Sequence, residues 1–327
     1  MHRSEWEPST ASAWDPGSLR DLLLQDVRQR RVAPPEGETR VLCAERYELE
    51  GTLGRGGQAS VFAAMDRELE RPVALKVVHA DSAAAAARLR NEGRLLCQLR
   101  HPSVVRAYDA GLYRGRPAVV LERLSGRSLR DLTRRGPLPW ERAAPLLQGL
   151  FAAVAHVHAA GVVHRDLKLD NVMVERDGAA RLIDFGLARR LSDACSMTLD
   201  GRVVGTLAYM SPERLTNQEA SPASDVYALG VLAYRALSGQ RPFGEGSLKD
   251  RVRGKAQLLP LDCFDIPAPL AAVVHAALAC DPSERPADGR RLLHRWEAAC
   301  AEAEAPKRPR VRRSRRRVPR SGRLARR

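Results

Sequence analysis

Residues 47–79 alternate short β-type runs with turns: Tyr47-Glu48-Leu49, a glycine cluster, Ser60-Val61-Phe62-Ala63, then Pro72-Val73-Ala74-Leu75-Lys76-Val77-Val78. Apolar, β-branched runs bounded by turn formers predict an antiparallel sheet. The alanine-rich stretch from Ser82 to Leu99 follows, with Leu89, Leu95, Leu96 and Leu99 at mixed three and four spacing. That spacing predicts one helix ending before His101-Pro102. Two more strands are expected at about 104–110 and 117–121. From about 137 to 300 the pattern turns helical, for example from Pro139 to His158 and from Ser224 to Leu237. The whole reads as a small β-rich lobe joined to a larger helical one, an α+β arrangement without internal repeats.

The two ends differ from this body. Residues 1–43 hold Pro8, Pro16, Gly17, Pro34, Pro35 and Gly37 and read as an irregular leader. One short amphipathic helix interrupts it, with Ser18 as N-cap, Asp21 in the first turn and Leu19, Leu22, Leu23 and Val27 as its apolar stripe. It either packs on the neighbouring domain or docks another protein. Residues 301–327 pass from a Glu/Ala patch into an arginine-rich tail that cannot bury enough apolar surface to fold alone.

Charge sharpens the division. The net charge is +15 and the sequence pI about 10.3, but Lys307 and eleven arginines lie in 306–327 with no acid, so 15 − 12 leaves +3 for everything else. Nucleic acid, an anionic lipid surface or an acidic protein would suit such a tail. It carries no aromatic residue to stack on bases, so any nucleic-acid contact would run through phosphates and depend strongly on salt. The 44% apolar content of 327 residues is ample for a core. Six cysteines, Cys43, Cys97, Cys195, Cys263, Cys280 and Cys300, form no CxxC pair and have no nearby histidine, which indicates neither a zinc site nor a disulfide framework. No run approaches the roughly 18 apolar residues of a membrane span, and Met1 to Glu7 lack the apolar core of a signal peptide. A cytoplasmic protein is expected.

Four stretches carry chemistry. Leu53-Gly54-Arg55-Gly56-Gly57-Gln58-Ala59-Ser60-Val61 is a glycine-rich turn between strands, where exposed N–H groups suit phosphate oxygens. Alone it is a weak signal. Lys76 sits on a half-buried strand among apolar neighbours, where its charge needs a partner. Glu92 on the following helix, or phosphates, would supply one. His164-Arg165-Asp166-Leu167-Lys168-Leu169-Asp170-Asn171 and Asp184-Phe185-Gly186 place a carboxylate, a lysine and two further oxygen donors in order. Asn171 and Asp184 offer the hard oxygen ligands that Mg²⁺ takes, and Asp166 stands five residues before Asn171, so that one loop can serve both a hydroxyl and a metal.

In these motifs the sequence resembles the eukaryotic-type (Hanks-type) Ser/Thr protein kinase family, particularly its bacterial members, over about 44–300. The resemblance implies a two-lobed kinase domain with an N-lobe at about 44–124 and a C-lobe at about 125–300. It implies ATP and Mg²⁺, with Mn²⁺ as a substitute, and protein substrates. Gly54, Gly56 and the loop between them and Val61 cover the phosphates, and Lys76 paired with Glu92 positions them. Asp166 is the base, Lys168 assists at the γ-phosphate, and Asn171 and Asp184 hold the metal. Leu53, Val61, Ala74, Leu121, Leu124 and Met173 sandwich adenine, whose edge is read by backbone groups of Glu122 and Leu124. Met210-Ser211-Pro212-Glu213 resembles the family's Ala-Pro-Glu element, Arg285 is the expected partner of Glu213, and Asp225 the expected anchor of the catalytic loop.

The departures are Ala59 at the third glycine of Gly-x-Gly-x-x-Gly, Ser211 for alanine, and Leu207 where proline is frequent. Lys168 together with Thr206 resembles the Ser/Thr branch rather than tyrosine kinases. Arg165 commonly receives an activation-segment phosphate in the family, so Ser192, Ser196, Thr198 and Thr206 are candidate sites of autophosphorylation, with a homodimer for reaction in trans. The competing reading is a catalytically weak kinase-fold adaptor that binds partners through its tail.

Overall fold

The computed structural model describes residues 42, 45–56, 59–79, 93–184, 207–243, 248–261 and 264–305. The predicted leader helix, most of the 82–99 helix and the basic tail lie outside them, as do Gly57, Gln58, Glu92, Phe185, Gly186, Ser192, Ser196, Thr198 and Thr206.

The N-lobe is an antiparallel sheet in the order β1-β2-β3-β5-β4, with β1 at Tyr47–Arg55, β2 at Ala59–Asp66, β3 at Arg71–Val78, β4 at Ala107–Tyr113 and β5 at Arg116–Glu122. Residues 93–98 form the described end of helix α1 between β3 and β4. Period-two alternation gives the sheet two different faces. One carries Tyr47, Phe62, Leu75, Tyr113 and Val120 into a closed lobe core. On the other, Val61 opposes Lys76, Lys76 opposes Val119, and Ala74 opposes both Ala63 and Leu121. This second face joins Leu96, Val104 and Val119 to the core of the C-lobe.

Strand β4 starts three residues later than the expected 104. Val105 N–H instead donates to the Leu182 carbonyl at 2.9 Å and Val104 bridges Leu182, so these backbone groups are spent on the other lobe. The N-lobe also extends beyond its expected start. Leu42 is buried in the lobe core and its N–H donates to the Leu112 carbonyl at 2.8 Å.

The C-lobe holds β6 at Arg127–Ser128, α2 at Leu129–Thr133, α3 at Trp140–Ala159, β7 at Val172–Val174, β8 at Ala180–Leu182, α4 at Pro212–Leu215, α5 at Pro222–Ser238, α6 at Leu248–Val252, α7 at Ala268–Ala277 and α8 at Gly289–Glu304. Helix α5 opens two residues ahead of the expected Ser224. Ser221 and Ser224 form a capping box around Pro222, and Gly239, at φ 70°, ends the helix in the left-handed conformation. Helices α3, α5 and α8 enclose Leu147, Phe151, Leu229, Tyr234 and Trp296, all 1% exposed or less. Helix α8 runs four residues past the expected domain end at 300.

Candidate active site

The loop after α3 is aimed by local backbone chemistry. Gly161 takes φ 73° and Val162 N–H closes onto the Val157 carbonyl at 3.1 Å, a helix stop that only a left-handed residue allows cheaply. Asp225, near the start of α5 and 2% exposed, then catches the chain. Its Oδ2 accepts from His164 N–H at 2.7 Å and its Oδ1 from Arg165 N–H at 3.0 Å. His158 Nε2 also meets Oδ2 at 3.0 Å, while its Nδ1 accepts from Gly289 N–H at 3.0 Å, so α8 is tied through one imidazole to the loop. Arg165 is held at φ 70°. A non-glycine residue there costs about 1 kcal/mol or more, which the two fixed N–H groups offset.

Asp166 emerges from this frame as a prearranged carboxylate. Lys168 Nζ donates to its Oδ2 at 2.7 Å, and Asn171 Nδ2 donates to the same oxygen at 3.0 Å and to the Asp166 carbonyl at 2.7 Å. Asn171 is itself locked by the single 3₁₀ turn Leu169–Asn171, and its carbonyl accepts from Ile183 N–H at 2.9 Å. The next residue, Asp184, has φ 58° and lies with its carbonyl 3.5 Å from Asn171 Nδ2. Burial holds the neighbouring His164 imidazole below its ordinary range, hence neutral.

Lys76 reaches this cluster from the N-lobe. It is 9% exposed and its Nζ hydrogen-bonds Asp184 Oδ1. Its expected partner Glu92 is outside the described residues; the carboxylate brought to it here is Asp184. Behind the pair, Leu96, Val105, Ala107, Val119 and Leu121 line an apolar recess. The predicted adenine residues Val61, Ala74 and Leu121 share the sheet face that carries Lys76, and Met173 lies on β7 opposite Ser128 and Arg181. Leu53 is 54% exposed at the end of β1. Gly54, Arg55 and Gly56 lead out of β1 and Ala59 and Ser60 lead into β2, with Gly56 N–H closing the turn on the Ala59 carbonyl at 2.9 Å. Of the Glu122 backbone groups, the N–H donates to Arg106 at 2.8 Å. Its carboxylate takes Arg181 Nη2 at 3.0 Å, and the same guanidinium donates to the Pro102 carbonyl, so β8 clamps the end of β5.

On the far side of Asp166 a cavity is bounded by Arg165, Leu167, Tyr209, Met210, Ser211 and Arg214. Between its lining residues Ser211 and Arg214, Glu213 turns away into a bidentate pair with Arg285 at 2.8 and 2.9 Å, both side chains nearly sealed from solvent. The ligand donors fit a small divalent ion. Among the described residues no three His, Cys, Asp or Glu side chains gather into a metal cage, and the adjacent Asn171 amide and Asp184 carboxylate are the hard oxygen donors that Mg²⁺ uses when phosphates and water complete its shell. Sequence reading missed His158, Arg181 and Arg251. None carries a local signal, because each acts through a partner at least 20 positions away.

A protein kinase domain model matches residues 47–296. Serine/threonine-protein kinase PknL of Mycobacterium tuberculosis is 35% identical over 273 residues, covering 81% of this chain and 68% of the relative. Serine/threonine-protein kinase pkn2 of Myxococcus xanthus is 38% identical over 269 residues, covering 78% of this chain and 32% of the relative. PknB of Mycobacterium leprae is 38% identical over 208 residues, covering 61% of this chain and 33% of the relative. The solved structure titled PpkA-294 apo form superposes with a TM-score of 0.63 at 24% identity, over 82% of this chain and all of that one, and shares the two-lobed fold. With the matched region spanning the sheet lobe, the Asp166 loop and the helical lobe, the chain belongs to the protein kinase family and groups with its bacterial serine/threonine members.

Proposed function

We propose that this chain transfers the γ-phosphate of ATP to serine and threonine hydroxyls of proteins, with Asp166 receiving the hydroxyl proton. The observation that carries the reading is the Asp166 carboxylate, held by Lys168 and Asn171 between the Lys76–Asp184 pair and the cavity beside Tyr209. Lys168 neutralises charge next to the transferring group, and Lys76 orients the phosphates under the Gly54–Val61 loop. Asn171 and Asp184 would hold Mg²⁺, with Mn²⁺ as a substitute; the ion supplies neutralisation of phosphate charge. Lys76 then exchanges its contact with Asp184 for one with phosphate. Catalysis of this kind rests on positioning and electrostatics, which suits a site whose groups are fixed before substrate arrives.

The finer assignments extend this reading. Autophosphorylation in the 185–206 segment, in trans within a homodimer, is proposed from the position of Arg165 at the cavity edge. The tail is proposed to engage nucleic acid, anionic lipid or acidic protein. A cytoplasmic signalling role is proposed with it. Among the described residues no helix is long and apolar enough to cross a membrane.

The deciding assay is transfer from labelled ATP with Mg²⁺ to casein and to the chain itself, comparing wild type with Lys76→Met, Asp166→Asn and Asp184→Ala. Label on serine or threonine that all three variants lose is the expected result. Bound ATP without transfer under Mg²⁺ and Mn²⁺ would move the assignment to the adaptor.

A further inference from the structure

Arg251 is a buried cation on the five-residue helix α6, only 6% exposed. Its Nη1 donates to the Leu207 carbonyl at 3.1 Å, and its Nη2 to the Met210 carbonyl and to the Tyr227 hydroxyl, the latter at 3.1 Å. The guanidinium stands 5.6 Å from the ring centres of both Tyr227 and Phe243. Among the described residues no carboxylate pairs with it, and its Nε is buried without a hydrogen-bond partner. Enclosing a charge in this way is unfavourable unless its hydrogen bonds do something in return.

They hold the turn that faces Asp166. Leu207 and Met210 are its two ends, closed by Met210 N–H on the Leu207 carbonyl at 3.2 Å, and Met210 with Tyr209 walls the cavity beside Asp166. A guanidinium presents its nitrogens at fixed spacing and so can pin two carbonyls at once, whereas an ammonium is a single point. Helix α6 is braced in turn, since Lys255 N–H donates to the Asp250 carbonyl at 2.8 Å and Gly254 N–H to that of Arg251 at 3.2 Å. Among the described residues no contact of Arg251 reaches Lys76, Asp184 or the glycine-rich strands.

We propose that Arg251 is a positioning residue for the protein substrate: it fixes the Leu207–Met210 turn and thereby the place of the acceptor hydroxyl over Asp166, without serving ATP. This rests on the kinase reading above. The test uses the full chain with Mg-ATP and dephosphorylated casein as acceptor, and measures KM for each substrate separately. Arg251→Met keeps the bulk of the stem and removes the fork. It should lower kcat/KM for casein about ten- to a hundredfold, as misplacement near 1 Å does, while KM for ATP stays within about twofold. Arg251→Lys, which keeps the charge and reaches one carbonyl, should fall between. Unchanged casein kinetics in either variant, or ATP and casein parameters declining together, would overturn the proposal. Should Arg251→Met not fold by circular dichroism, Arg251→Lys decides alone by the same split. A wild-type chain that labels neither casein nor itself defeats the kinase reading instead.

Discussion

Asp225 shows how much one carboxylate can organise, since it accepts from two consecutive backbone N–H groups and one imidazole with only two oxygens. Replacing it by asparagine turns one of those oxygens into an NH₂ that faces a donor. Asp225→Asn should therefore cost about 2–3 kcal/mol of stability, and the freed Arg165 backbone should drop transfer by more than about tenfold; denaturant melts and labelling read the two effects separately. The Glu213–Arg285 pair is the second such point. Removing one partner of a buried pair leaves an uncompensated charge, so Arg285→Ala should cost about 3–5 kcal/mol. The pair also carries a pH signature. Burial pushes the Glu213 carboxyl up, but the hydrogen bonds from Arg285 and the other favourable contacts outweigh it, and the folded pKa lies below the ordinary 4.5. A depressed carboxylate contributes stability that is complete above 4.5 and is lost as pH falls through the folded value. Thermal melts between neutral pH and strong acid should show that decline in wild type, and Glu213→Gln should lack this component of it.

Among the elements, legibility in the sequence followed locality. Strand β3 and the long helices α3 and α5 could be read within a residue or two, because their apolar period and their caps, such as Ser221 with Pro222, are local facts, whereas β1 and β2 run six and three residues past the apolar runs at 47–49 and 60–63. The start of β4 could not, since the Ser103 carbonyl and the Val105 N–H both bond Leu182, 77 positions beyond Val105. The candidate site divides the same way. Asp166, Lys168 and Asn171 lie within one loop and were legible as a motif, whereas His158, Arg181 and Arg251 matter through partners that only folding supplies. Helix contact exposes a further consequence. A Cβ on Gly289 would stand 2.6 Å from the Ala155 backbone nitrogen and 2.9 Å from its Cα, where α8 meets α3. Gly289 N–H is also the group that holds His158 against Asp225. Gly289→Ala must part the two helices, so it should cost about 1–3 kcal/mol and reduce transfer through the loosened imidazole, measurable as a lower melting temperature with a lower kcat. Stability unchanged from wild type would show that this crossing tolerates separation.

At the scale of the molecule the fold joins its halves through a few cross-lobe bonds, and its charge is confined to one end. Arg181 ties β8 to Pro102 and Glu122, Val105 bonds Leu182, and Lys76 meets Asp184, so the sheet face that carries Lys76 is registered against the Asp166 loop. The body that performs this work carries about +3, while residues 306–327 carry +12 by count of one lysine and eleven arginines. A charge so separated from the chemistry should be removable without loss of the chemistry. Deleting 306–327 is therefore expected to leave casein labelling unchanged within about twofold while abolishing retention on a polyanion such as heparin or duplex DNA. For the full chain, retention should weaken steeply with salt, log K falling by about 0.9 per phosphate neutralised on duplex DNA for each unit of log salt, and should show little preference among sequences because phosphate contacts carry no sequence information. Titrating the two chains against DNA at several salt concentrations separates the readings. A truncated chain that binds as before would place the anion-binding charge on the folded lobes, and a salt-independent association would show that neutralising phosphates does not drive it.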